Sequence, residues 1–320
     1  MLAPHLVPTR PPAAPPADPL DSRLRDRLRP WDGTPREVLF LGIPSDDGVV
    51  AGGGRAGAAE GPRAFREAVL RYGTTWDAEH ELDWSDLTVA DAGDAEVVAG
   101  DVATTHDHVT ACAASLFERC DRLVVVGGGN DATFATLRAL GPGTATAVIN
   151  VDAHLDVRRV IDGRITSGTP YRRLIEEHRL PGRNLVEFAA HPHVNSRSHH
   201  DWVRSRGAAC HTLDAVRSAG AGTLTARELD RLSLAAPKLA VSIDLDVFAA
   251  AYAPGVSAPG VDGLTPEEGR QIAWAAGLQR RVRLFELVEL SPPHDLDGRT
   301  ARLAVMLACS FLAGVAAARG

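Results

Sequence analysis

Asn150-Val151-Asp152-Ala153-His154-Leu155-Asp156 and Ser242-Ile243-Asp244-Leu245-Asp246 each close an apolar run and present carboxylate or imidazole groups at alternate positions. Residues two apart on a strand share a face, so Asp152 and His154 can converge with Asp244 and Asp246, while Asp156 folds back from the following loop. Four carboxylates packed together without a cation repel one another and are driven to protonate, whereas two divalent ions balance them. A lone Asp after an apolar strand is usually a turn former or helix cap. Two such triplets, with a third apolar run ending in Gly127-Gly128-Gly129-Asn130-Asp131, point instead to a metal pair. Oxygen-dominated ligands with one imidazole suit manganese first, then magnesium, iron or cobalt, since zinc prefers more His or Cys.

Working outward, short β-rich runs alternate with helical segments. Strands are expected at 38–42, 88–92, 123–126, 147–151, 185–189, 239–243 and 283–288. Helices are expected at 61–72, 102–119, 131–140, 170–178, 199–206, 225–233 and 265–278. Continuous apolar strands separated by helices imply a mostly parallel sheet covered on both faces, here a single three-layer α/β domain over 36–320. Ligands of such sheets gather outside the carboxyl ends of the strands, and the suspect Asp, His and Asn residues all fall there.

With 320 residues, 45% of them hydrophobic, the chain can bury a full core. A net charge of -7 and the absence of a basic stripe argue against nucleic acid. Cys112, Cys120, Cys210 and Cys309 form no CxxC pair, which reads as reduced thiols of a cytoplasmic protein. Residues 1–19 hold seven of the 21 prolines, and 1–35 is expected to be a flexible or surface-draped leader. The apolar stretch 303–318 is too short to cross about 30 Å of hydrocarbon comfortably and reads as a buried core helix. The histidines of 191–200 lack an accompanying carboxylate spacing and read as ordinary loop residues.

The motifs resemble the arginase/agmatinase ureohydrolase family. Asp152 to Asp156 matches its Asp-Ala-His-x-Asp pattern, Ser242 to Asp246 its Ser-x-Asp-x-Asp pattern, and Val288-Glu289-Leu290-Ser291-Pro292 a later one. Within the family, Asp47-Gly48-Val49, Gly54 to Ala58, Thr166 to Pro170 and Asp295 to Thr300 look most like formimidoylglutamases. The resemblance implies an arginase-like fold and two manganese ions, with Asp152 and Asp244 as bridging ligands. Asp156 would complete one shell, and His154 with Asp246 the other. It further implies hydrolysis of a linear amidine, N-formimidoyl-L-glutamate to L-glutamate and formamide in histidine degradation. Asp156 would carry the proton and Glu289 would face the cationic end of the substrate.

One ligand position departs from the family. Asn130 stands where its Gly-Gly-x-His motif supplies a histidine. An amide oxygen is neutral and a weaker ligand than imidazole, so the first metal site is expected to be weakened or empty. The outcomes range from a competent pair through a one-metal enzyme to a non-catalytic relative. Asp131 could replace Asn130 if the loop shifts, but more naturally caps the next helix. Ser167 occupies the stretch where arginase carries its proton-shuttle histidine, which argues against arginase itself. Arg55, Arg158 and Arg159 are expected near the mouth to meet substrate carboxylates, Arg55 foremost. The rival substrates are agmatine or another guanidino compound. Neither nucleic acid nor a membrane is expected as a partner, and a homo-oligomer is left open.

Overall fold

The computed structural model describes residues 3–10, 12–18 and 20–319. Its strands are β1 (Leu6–Val7), β2 (Arg29–Pro30), β3 (Arg36–Gly42), β4 (Trp76–Asp77), β5 (Leu82–Asp83), β6 (Val89–Ala95), β7 (Cys120–Val126), β8 (Thr146–Val151), β9 (Leu185–Ala190), β10 (Ala209–Thr212), β11 (Lys238–Asp244) and β12 (Val282–Val288). The helices are α1 (Leu24–Arg27), α2 (Asp47–Ala51), α3 (Gly61–Val69), α4 (Val102–Phe117), α5 (Thr133–Leu140), α6 (Pro170–Glu176), α7 (Arg197–Ser205), α8 (Leu213–Ala219), α9 (Ala221–Ala235), α10 (Pro266–Leu278) and α11 (Arg299–Ala317).

One sheet runs β1-β6-β3-β7-β12-β11-β8-β9-β10, with β2 added beside β6. Every pairing in it is parallel except β1 with β6. The strands read as continuous apolar runs because each face is buried. On β3, Val38 and Phe40 join one core cluster with α3 and α9 to α11. Leu39 and Leu41 join the other, with α4 to α7. The result is the expected three-layer α/β architecture. The apolar C-terminal segment is helix α11, packed into the first cluster, where Phe311 stacks on Phe285 with ring centroids 4.4 Å apart.

The N-terminal expectation needs correction. Residues 1–35 are not simply a leader, because β1 and β2 both pair with β6 and Leu24, Leu28 and Trp31 are buried. Three apolar side chains spaced along this stretch supply the burial that ties it down. The proline-rich residues 12–18 have no regular structure. The strand β10 and the helices α2 and α8 were also not expected; each is short and only partly apolar.

Candidate metal centre

Register brings the two acidic strand ends together. β8 and β11 are hydrogen-bonded neighbours with Asn150 opposite Ser242 and Val151 opposite Ile243, so Asp152 and Asp244 emerge side by side. Each carboxylate accepts the backbone N–H two residues on, Asp152 from His154 at 2.7 Å and Asp244 from Asp246 at 2.8 Å. These local turns swing His154 and Asp246 toward each other, and His154 Nδ1 lies 3.0 Å from Asp246 Oδ2. Asp156 returns from the loop in a left-handed backbone conformation, φ 45°.

The result is two overlapping sets, Asp152/His154/Asp246 and Asp152/Asp156/Asp244, in each of which the ligand atoms lie within 4.8 Å of one another. The electrostatics ask for cations. Burial and then Asp152 drive the Asp156 carboxyl well above its usual range, and burial and then Asp246 do the same to Asp244. Asp246 is pushed up to about 6, chiefly by burial. Burial disfavours a charged His154, yet the pull of Asp246 and Asp152 overrides it and raises the imidazole to about 12. The donor set fits a metal pair, oxygen-rich with one nitrogen and with a buried, unpartnered Asp246 Oδ1.

The structure places Asn130 beside this cluster, but not as an oxygen ligand. Its Nδ2 donates to Asp156 Oδ2 at 2.6 Å and to Asp152 Oδ2 at 3.3 Å, while its Oδ1 accepts from the Thr133 hydroxyl at 2.9 Å. The amide thus spends its donors on the carboxylates, and coordination would require it to turn over. Asp131 neither substitutes for it nor caps a helix. It points away and accepts from buried His106 Nε2 at 2.9 Å, whose other ring nitrogen meets Arg173 at 3.1 Å.

Glu289, one residue past β12, also has a left-handed backbone, φ 66°. Its Oε1 accepts the Asn130 N–H at 2.9 Å, and its Oε2 is buried without a partner. Burial pushes this carboxyl up to about 8, with Asp246 and Asp131 adding to the rise. A cavity of about 190 Å³ is lined by His154, Asp156, Asp244, Asp246 and Glu289. Ser167 lines it as well and is fixed by its N–H to Gly48 O at 3.0 Å.

Arg55 corrects the sequence expectation for the mouth. Its guanidinium donates to the carbonyls of Ser257 at 3.0 Å and Val256 at 2.5 Å, bracing that loop rather than facing the cavity. Arg158 does line the cavity, together with Gly168, where a Cβ would come within 2.7 Å of the arginine side chain. Arg158 also borders a second cavity of about 620 Å³, shared with Arg159 and Arg164. None of these three exposed guanidiniums has an ion-pair partner among the described residues.

Sequence reasoning missed two supports. Asn195, in the histidine-rich loop, accepts the Leu155 N–H at 2.9 Å and donates to Ala153 O at 2.8 Å, clamping the ligand loop. His191 of the same loop is buried against Val247 O at 3.2 Å, in keeping with an ordinary loop residue. One level below the metal centre, Glu187, Asn150, Ser242 and Glu286 form a buried polar row across β9, β8, β11 and β12. Asn150 Nδ2 donates to Glu187 at 3.0 Å, and Tyr171 and Thr136 reach in from the helices to Asn150 and Glu286. The signal was present in the chain, as polar residues one to three places before the ends of largely apolar strands.

This fold and site define the class. The arginase family pattern matches residues 36–314, and the chain belongs to that family; it is a hydrolase of the arginase/formimidoylglutamase type. It is 37% identical over 292 residues to a formimidoylglutamase of Halobacterium salinarum, covering 89% of this chain and 90% of the other. The crystal structure of Trypanosoma cruzi formiminoglutamase with two Mn²⁺ superposes with a TM-score of 0.85 at 34% identity, over 92% of this chain and 99% of that one. The formimidoylglutamase structure from Bacillus subtilis gives 0.87 at 26% identity, over 96% of each chain.

Proposed function

We propose that this chain is a manganese-dependent formimidoylglutamase that converts N-formimidoyl-L-glutamate and water to L-glutamate and formamide. The observation that carries the reading is the adjacency of a carboxylate-lined cavity to a mouth with three unpaired arginines, Arg158, Arg159 and Arg164. A cationic amidine bearing two carboxylates presents those charges in the complementary order. Agmatine, whose tail is cationic, would meet like charge at the same mouth.

Asp152, His154, Asp156, Asp244 and Asp246 would hold the metal pair, with Asn130 able to join after its amide turns over. When bound, the two ions supply Lewis-acid activation of a water near neutral pH. Glu289 Oε2, buried and free, accepts from the amidinium N–H groups and orients the planar carbon. Asp156 Oδ2 takes the proton of the attacking water and delivers it to the departing glutamate nitrogen as the C–N bond breaks. Arg158 holds a substrate carboxylate, and Ser167 offers its hydroxyl at the cavity wall. The free, largely buried thiols Cys112 and Cys120 accord with a reducing, cytoplasmic setting.

The test is a substrate panel with manganese. Turnover of formimidoylglutamate well above that of agmatine and arginine is expected, with Arg158→Ala raising KM by roughly 10- to 100-fold through loss of a charge-assisted contact. Preference for agmatine, or an Arg158→Ala enzyme with unchanged KM, would overturn the reading.

A further inference from the structure

A second group of ligand atoms lies away from the catalytic cluster, at the edge of the sheet. His5 precedes β1, Glu96 follows β6, and His108 sits in α4. Pairing of Leu6 with Ala95, and the Glu96 N–H to His5 O bond at 2.7 Å, bring the first two together. Glu96 Oε2 then lies 2.7 Å from His5 Nδ1 and 3.3 Å from His108 Nδ1. The three ligand atoms are all within 4.8 Å of one another.

We propose that His5, Glu96 and His108 form a binding site for a transition-metal ion of the Zn²⁺ class, which fastens the N-terminal strand to the sheet edge and to α4. The donor set differs from that of the catalytic cluster. Two imidazoles and one carboxylate favour zinc, cobalt, nickel or copper over manganese. Ligand atoms about 2.0–2.2 Å from a tetrahedral ion stand about 3.3–3.6 Å apart, a spacing that His108 and Glu96 already have at 3.3 Å and that His5 and Glu96, at 2.7 Å, would open to reach. His108 Nδ1 supplies a further pointer, because it is buried and lies 3.3 Å from Glu96 Oε2 without hydrogen-bond geometry, an arrangement that an ion between the two would satisfy. The two rings are stacked with centroids 3.7 Å apart and 14° between planes, so binding requires them to splay about their Cβ–Cγ bonds. Partial exposure of His5 and Glu96 leaves room for that and for a water as fourth ligand.

Equilibrium dialysis against Zn²⁺ in excess Mn²⁺ tests the proposal. Wild type should retain one more Zn²⁺ per chain than His108→Ala or His5→Ala, while formimidoylglutamate turnover is the same in all three. Zn²⁺ should also slow amide hydrogen exchange at Glu96, whose N–H is bonded to His5 O, in wild type and leave the rate in His108→Ala unchanged. If a histidine variant fails to fold, Glu96→Gln, at a half-exposed position, serves in its place. Equal Zn²⁺ content in wild type and variant, or Zn²⁺ protection of the Glu96 N–H that persists without His108, would overturn it.

Discussion

Replacing Asn130 by His probes the one position where a ligand expected from the family pattern is missing. The Asn130 amide donates to Asp156 at 2.6 Å and to Asp152 at 3.3 Å, so its N–H side faces the carboxylates. The amide can turn over at small cost, because the Thr133 hydroxyl that now donates to Oδ1 can accept from Nδ2 instead. What remains is then the difference between a neutral amide oxygen and an imidazole nitrogen as a ligand. Changes of this kind shift metal affinity by roughly 10- to 100-fold, or about 1.4–2.7 kcal/mol. Asn130→His should therefore bind its more weakly held manganese tighter by that factor, and its activity at limiting manganese should rise toward the saturated rate of wild type. Calorimetric manganese titration of both proteins, paired with rates at several manganese concentrations, reads both effects. Equal stoichiometry and affinity in the two proteins would show that no ion sits beside Asn130. Weaker binding in the variant would show that the pocket, closed around a residue only 1% exposed, has no room for the ring.

Three further expectations follow from the same geometry. Asp244→Ala removes a carboxylate of the Asp152/Asp156/Asp244 set, which the family resemblance assigns as a bridging ligand; metal content should fall below one ion per chain and activity by about 10³-fold or more, and retention of two ions would refute that assignment. Glu289→Gln should leave metal content unchanged and lower kcat/KM by roughly 10- to 150-fold, since it loses a charge-assisted contact and not a ligand; loss of metal would show the role to be misassigned. Burial pushes the Glu286 carboxyl from the usual 4.5 up to about 7, so the unfolded chain ionises first. Its stabilising contribution is whole below pH 4.5 and is lost as pH rises to 7, on the order of 3 kcal/mol in all. Glu286→Gln should unfold at higher urea than wild type at pH 8 and lack that slope; identical pH dependence in the two would refute it.

The convergence of the acidic cluster was legible in the sequence because charge is rare at the ends of doubly buried strands, and acids clustered as at Asp152 to Asp156 and Asp244 to Asp246 are costly to bury together without cations. The long parallel strands were legible as apolar runs of the right length, and the helices as the segments between them. Orientation was not legible. Arg55 and Arg158 look alike as arginines in glycine-containing loops. Only the three-dimensional path shows that the carbonyls of Val256 and Ser257 claim the first, while Gly168 lets the second lie along the cavity wall. Asn130 was located correctly beside the carboxylates, but which end of its amide faces them depends on Thr133, a helix turn away. The N-terminal stretch misled because proline density was weighed above the few apolar residues, Leu24, Leu28 and Trp31, that anchor it.

The buried row beneath the metal centre follows from the same strand periodicity that builds the ligands. Asn150 and Asp152, like Ser242 and Asp244, are two residues apart and so share the face covered by α5 and α6. A chain that places acids at the end of these strands thus has a second inward level directly below them, and here that level is polar. Glu187 and Glu286 are fully buried there, each with one carboxylate oxygen unpartnered, a cost that a row of Val or Leu would avoid. Tyr171 and Thr136 partly offset it by donating into the row from two helices. Those bonds tie α6 to β8, which leads into Asp152, and α5 to β12, which leads into Glu289, and α5 follows directly on the turn that carries Asn130. A polar level at this depth fixes helix against sheet by directional contacts, which a slippery apolar layer does not provide. The positions of the metal ligands then depend on the row below them as well as on their own turns.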